Sequence, residues 1–79
     1  MTVHLRYFAA LSDQAGVTSE TVETGAASLA ELYEEVRLRR NLRLERAWVR
    51  VAVADEFAAW ERAPRDGDHI AFMPPVSGG

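Results

Sequence analysis

One amphipathic stripe, set between runs of alternating residues, constrains this chain more than any other feature. Leu29, Leu32, Tyr33 and Val36 recur at the i, i+3, i+4, i+7 spacing of a single helix face. Ser28 and Glu31 stand at capping-box spacing, which starts the helix at Leu29. Glu31, Glu34 and Glu35 fall early and Arg37, Arg39 and Arg40 late, each sign at the end of the dipole that favours it. Glu35 is also spaced to pair with Arg39. Asn41 is a suitable stop, so the helix is expected over residues 29–40.

Such a stripe has to cover an apolar face, and strand patterns lie on both sides of it. Val3, Leu5 and Tyr7 alternate with Thr2, His4 and Arg6, the period of a strand with one buried face. Residues 18–24, rich in threonine, suit a second strand hairpinned to the first, with a short helical turn between them that ends at Gly16. Val49, Val51 and Val53 alternate within a third strand expected over 48–53, Asp55-Glu56 reads as the turn after it, and 57–60 as a short edge strand. Pro64-Arg65-Asp66-Gly67-Asp68 has the chemistry of a tight turn, after which Ile70 and Phe72 alternate through a last strand. This order implies an α+β fold, a ubiquitin-like β-grasp in which a mixed sheet packs on one main helix. The last strand should return beside the first, giving a domain over 1–75 and an extended tail over 76–79.

Composition narrows the function. A chain of 79 residues holds one small core. Its nine basic residues are all arginine, interspersed among twelve acids for a net charge of -3, so neither nucleic acid nor an anionic membrane is an expected partner. No apolar run approaches the roughly 20 residues of a membrane span, and the start lacks the layout of a signal peptide, so a cytoplasmic location is expected. Without cysteine there is no disulfide, no thiolate metal site and no side chain able to carry a persulfide. His4 and His69 fall on outward strand positions and Asp66 and Asp68 within a turn, so no metal site is expected.

The chemistry is concentrated at the other end. From Ile70 onward no side chain is charged, and the chain finishes Pro74-Pro75-Val76-Ser77-Gly78-Gly79. Pro74 and Pro75 cannot donate ladder hydrogen bonds, so they end the strand and stiffen the exit. The four residues beyond them could reach roughly 13 Å when extended. Gly78 and Gly79, lacking Cβ atoms, can pass through a slot too narrow for other residues. A terminal carboxylate, with a pKa of about 3.5, is an anion inert toward nucleophiles at neutral pH. An adenylating partner using ATP would convert it to a mixed anhydride, and sulfur attacking that anhydride would leave a nucleophilic thiocarboxylate. With no cysteine in the chain, Gly79 is the expected catalytic position for sulfur, and no permanently bound cofactor is expected.

These residues resemble the molybdopterin synthase small subunits, called MoaD. The resemblance runs from Val-His-Leu-Arg-Tyr-Phe-Ala at residues 3–9, through the single amphipathic helix, to Asp66-Gly67-Asp68-His69-Ile70-Ala71-Phe72-Met73-Pro74-Pro75-Val76-Ser77-Gly78-Gly79. It implies that the tail, Pro75, Val76 and Ser77 included, inserts into the synthase large subunit, a MoaE-like protein. It implies too that a MoeB-like, ubiquitin-activating-type enzyme adenylates Gly79. The resulting thiocarboxylate would give its sulfur to cyclic pyranopterin monophosphate, two carriers being spent per dithiolene, within a heterotetramer of two small and two large subunits. The chain departs from the family at Ala54, where asparagine is common, and at Pro64-Arg65, where a leucine or similar residue usually precedes Asp-Gly-Asp.

Tyr33, Trp48, Phe57 and Trp60 read as core or strand-packing residues rather than a binding platform. Phe8, Ala71 and Met73 fall on the face opposite the core near the tail exit. There they form either a partner-binding patch continuous with Pro74 and Val76 or packing under the short helix. Sulfur carriage for thiamine or cysteine synthesis, covalent attachment to target lysines through Gly79, and non-covalent binding remain as alternative functions. The absence of lysine bars side-chain-linked chains of this protein but not single attachment.

Overall fold

In the structure, a computed structural model that describes residues 1–75, the helix stripe lies across one face of a five-stranded sheet. The elements run β1 (Thr2–Tyr7), α1 (Ala10–Ala15), β2 (Ser19–Glu23), α2 (Leu29–Arg40), β3 (Arg50–Val53), β4 (Glu56–Phe57) and β5 (His69–Met73). The sheet order is β2-β1-β5-β3-β4, with β1 and β5 parallel and every other pair antiparallel. This is the α+β β-grasp, and it sets β5, the strand that leads to the tail, at the centre of the sheet.

The start of α2 is fully accounted for. Ser28 Oγ accepts from the Glu31 N–H at 3.1 Å, and the carbonyls of Arg62 and Trp60 accept from the N–H groups of Leu29 and Ala30. The N–H of Leu32 makes the first helical bond, to the Ser28 carbonyl, so the three amides before it, those of Leu29, Ala30 and Glu31, all have partners. At the other end Asn41 takes the left-handed conformation and its N–H reaches the Arg37 carbonyl. Gly16 closes α1 in the same way, with φ 79°.

Burial follows parity along the strands. Val3, Leu5 and Tyr7 of β1, Val22 of β2, Val51 and Val53 of β3 and Ile70 and Phe72 of β5 point toward α2 and are buried. Phe72 is fully enclosed, with the rings of Tyr33, Tyr7 and Trp60 at 5.1, 6.1 and 6.2 Å between centroids. Replacing it with alanine would cost about 3–5 kcal/mol, since neighbours held by two strands and a helix cannot collapse into the space. Tyr33 donates to the Leu44 carbonyl at 2.6 Å, and burial pushes its hydroxyl pKa up to about 12.

Five expectations need correction. The third strand starts at Arg50, because Arg46–Trp48 forms a 3-10 turn that carries Trp48 out to solvent. The turn after β3 is Ala54-Asp55, not Asp55-Glu56: both have positive φ, 51° and 68°, and Glu56 already pairs with Val53 in β4. The edge strand is accordingly Glu56–Phe57 and not 57–60. Arg39 bonds Glu20 at 3.0 Å, while Glu35 accepts from Thr24 Oγ1 at 2.7 Å, so the expected Glu35–Arg39 pair is replaced by two ties from the helix to β2 and the connection that follows it. Of the four aromatic residues read as core, Tyr33 and Trp60 pack inside, whereas Trp48 and Phe57 are 63% and 60% exposed.

Candidate functional site

Ala71 and Met73 alternate with buried Ile70 and Phe72, so they face away from α2. The register sets Ala71 between Arg6 of β1 and Ala52 of β3, and Met73 opposite Arg50. β5 ends at Met73 and the chain continues through Pro74 and Pro75, as expected of residues that cannot extend a ladder. Val76, Ser77, Gly78 and Gly79 lie outside the described residues.

Around this exit is a groove of about 390 Å³ lined by Ala47, Trp48, Val49, Arg50, Phe57, Met73, Pro74 and Pro75. Its walls come from the 3-10 turn, β3, β4 and the end of β5, which meet because β3 and β5 pair antiparallel. Exposure of Trp48 and Phe57 together beside the exit is the main apolar feature of the outer face. Trp48 and Phe57 were legible only as large aromatics. The irregular 46–48 turn hides the outward placement of the first, and the early hairpin sets the second opposite Ala52.

The structure therefore divides the expected patch. Met73, Pro74 and Pro75 line the groove, while Ala71 lines a neighbouring depression with Arg6, Ala54, Asp55, His69 and Ile70. Phe8 is exposed on the outer face but does not line the groove, because β1 ends at Tyr7 and the Phe8 carbonyl already accepts from the Leu11 N–H at the start of α1. His4 and His69 stack with ring centroids 4.6 Å apart, and His4 Nδ1 lies 3.1 Å from Thr21 Oγ1.

Two guanidiniums complete the face. Arg50 lies 3.8 Å from the centroid of the Phe57 ring, and Arg6 lies 5.4 Å from that of Phe8. This arrangement brings no nucleophile and base together. It presents instead an apolar groove edged by cations beside Pro74 and Pro75.

Residues 5–79 match the model of the ThiS family. The chain belongs to that family. It is a ubiquitin-like sulfur carrier of the ThiS/MoaD kind. It is 30% identical to the molybdopterin synthase sulfur carrier subunit of Haemophilus influenzae, over 98% of this chain and 99% of that one. SAMP1 of Haloferax volcanii, a small archaeal modifier protein, has the same fold with a TM-score of 0.80 and 26% identity, each chain covered completely. A protein–protein complex of subunits 1 and 2 of the molybdopterin-converting factor of Helicobacter pylori matches with a TM-score of 0.70 and 25% identity, again covering both chains fully. Among the described residues of this ThiS-family carrier, no helix is long and apolar enough to cross a membrane.

Proposed function

We propose that this chain is the sulfur-donating small subunit of a molybdopterin synthase, and that Gly79 carries the sulfur. The observation that carries the reading is full-length similarity to a molybdopterin synthase sulfur carrier subunit combined with the Pro-Pro-Val-Ser-Gly-Gly ending that follows the central strand. Alone the subunit performs no catalysis. Its Gly79 carboxylate attacks the α-phosphorus of ATP in an adenylating partner, pyrophosphate leaves, and a sulfide-level sulfur nucleophile displaces AMP from the acyl-adenylate. The thiocarboxylate sulfur then attacks the pterin precursor within the large subunit, and water cleaves the resulting acyl C–S bond, leaving the sulfur on the precursor and returning the Gly79 carboxylate. ATP is thus a substrate of the partner and needs no site on this chain.

What the domain contributes is placement. The central position of β5 anchors the root of the tail between two strands, Pro74 and Pro75 end the ladder there, and the groove beside them provides a surface for the partner to grip. Gly78 and Gly79 leave room for a narrow channel around the reacting carbonyl.

Reconstitution with an activating enzyme, a sulfide source and a synthase large subunit tests the reading. The intact mass should rise by about 16 Da on loading and fall back after precursor is added. Deleting Gly79 should abolish both changes and leave the fold intact. A Gly79-deleted protein that still supports molybdopterin formation would sink the proposal. The likeness to the archaeal modifier supports a second reading, attachment to protein lysines, which would appear as an adduct larger by a whole protein.

A further inference from the structure

The outer face carries a charge pattern that the apolar groove does not explain. Although the chain has net charge -3, two exposed arginines bracket the strand that bears the tail, Arg6 opposite Ala71 on one side and Arg50 opposite Met73 on the other. Elsewhere Arg37, Arg39, Arg40 and Arg62 pair with carboxylates of this chain, while Arg43, Arg46 and Arg65 lie in the turns and loops, off the strands that form this face. Neither Arg6 nor Arg50 has a carboxylate within 4 Å among the described residues, though Asp55 lines the same depression as Arg6.

We propose that Arg6 and Arg50 are a pair of carboxylate receptors that orient this face on an acidic patch of the enzyme that activates the tail. This rests on the carrier function proposed above. Each guanidinium lies over a phenyl ring, Arg6 over Phe8 and Arg50 over Phe57, which limits the orientations it can take while leaving its in-plane N–H donors open for a bidentate carboxylate. Strand spacing and the two-residue offset put their Cα atoms about 12 Å apart. Between them stand only short or half-buried side chains, Ala71, Ala52 and Met73, so the two charges project past the floor they flank.

The complementary surface is an apolar prominence with carboxylates on two sides. Two fixed cations on a net-acidic domain do not suit a polyanion such as nucleic acid, whose binding needs many phosphate contacts. They suit a protein, where a few opposed charges steer encounter and fix register while apolar contacts hold the complex. Register matters here because the tail, rooted at Pro74 midway along this face, has to enter one slot.

ATP–pyrophosphate exchange by the purified activating enzyme, with the full chain as variable substrate, tests the inference. The R6E/R50E variant should raise KM roughly tenfold or more while leaving kcat within about twofold, because the reacting tail is unaltered. Added salt should raise KM for the wild type and have little effect on the variant. R43E, a charge reversal at an exposed position beside Gln14 and Asn41, should leave KM unchanged. Thermal unfolding of both variants verifies that they are folded. An unchanged KM for R6E/R50E, or an equal rise with R43E, overturns the role of these arginines while wild-type exchange still upholds carrier function. A wild-type chain inert in exchange overturns both.

Discussion

Glu20 accepts two hydrogen bonds from Arg40, 3.1 Å from Nε and 2.7 Å from Nη2, and so ties the edge strand β2 to the last turn of α2. Arg39 and the hydroxyl of Tyr7 bond the same carboxylate. Burial alone would raise the pKa of Glu20. The bonds from Arg40 and Tyr7 and the charges of Arg39 and Arg40 outweigh it and hold the carboxyl down at about 2 from a usual 4.5. The Tyr7 hydroxyl is pushed up, first by burial and then by its bond to Glu20.

A carboxyl with a depressed folded pKa stabilises the fold fully above its unfolded pKa, and this contribution is lost as pH falls through the folded one. The window here runs from about pH 4.5 down to about 2. E20Q should therefore lose about 1–2 kcal/mol at pH 7, where the charge-assisted bonds to Arg40 are intact. The gap to wild type should nearly close at pH 2. Urea unfolding at the two pH values measures it, and a gap of equal size at both would remove Glu20 as the titrating group.

The hairpin between β3 and β4 contains a second test. Ala54 and Asp55 both have positive φ, the pattern of a type I′ turn, for which asparagine or glycine is preferred at the first central position. Ala54 gains nothing locally from that conformation. A54N should stabilise by roughly 0.5–1 kcal/mol, raising Tm by about 3–6 °C in a chain of this size. An unchanged or lowered Tm would show that the turn is not strained at this position.

Ala54 also shows where sequence reading loses its grip. The strands and helix were legible because alternation and the 29, 32, 33, 36 stripe report burial directly, and the structure buries those residues. The hairpin was misplaced by one residue because its turn chemistry is absent from Ala54 and present in Asp55. On the outer face, parity identified Met73, and the prolines marked the strand end. Trp48 and Phe57 read as packing residues in the sequence because their exposure depends on an irregular turn and on the pairing of β4, neither of which has a periodic signature. Glu20 was readable as a strand residue, but its contacts span β2 and the end of α2, a distance of about 20 residues along the chain that only the closed fold removes.

The tail gives a prediction that rests on residue chemistry. G78V adds a β-branched side chain to the position next to the reacting carbonyl, where a partner's slot has to admit the backbone. Adenylation or sulfur transfer should slow by roughly 10²-fold, the scale expected when a reacting group is displaced by about 1 Å. Thermal stability should be unchanged, since β5 ends at Met73, five residues earlier. Single-turnover measurements separate the two steps, and unaltered rates for both would mean that the slot is wider than a glycine requires.

Trp48 should contribute to binding but hardly to folding. With 63% of its surface exposed, it leaves little apolar area to lose on truncation, so W48A should change stability by no more than about 0.5 kcal/mol. In a complex the same indole would be enclosed beside Met73, Pro74 and Pro75, the setting in which an aromatic anchor is worth most. W48A should therefore weaken binding to the activating enzyme and to the synthase large subunit by roughly tenfold each. L38A, which removes a leucine 80% exposed on α2 and away from the groove, should leave both affinities unchanged. The proposed function has one groove serve both partners, so each should also displace the other from the wild-type carrier. Calorimetric titration of the two partners, singly and in competition, decides the matter: unaltered affinities for W48A, or a ternary complex, would place the docking surface elsewhere on the domain.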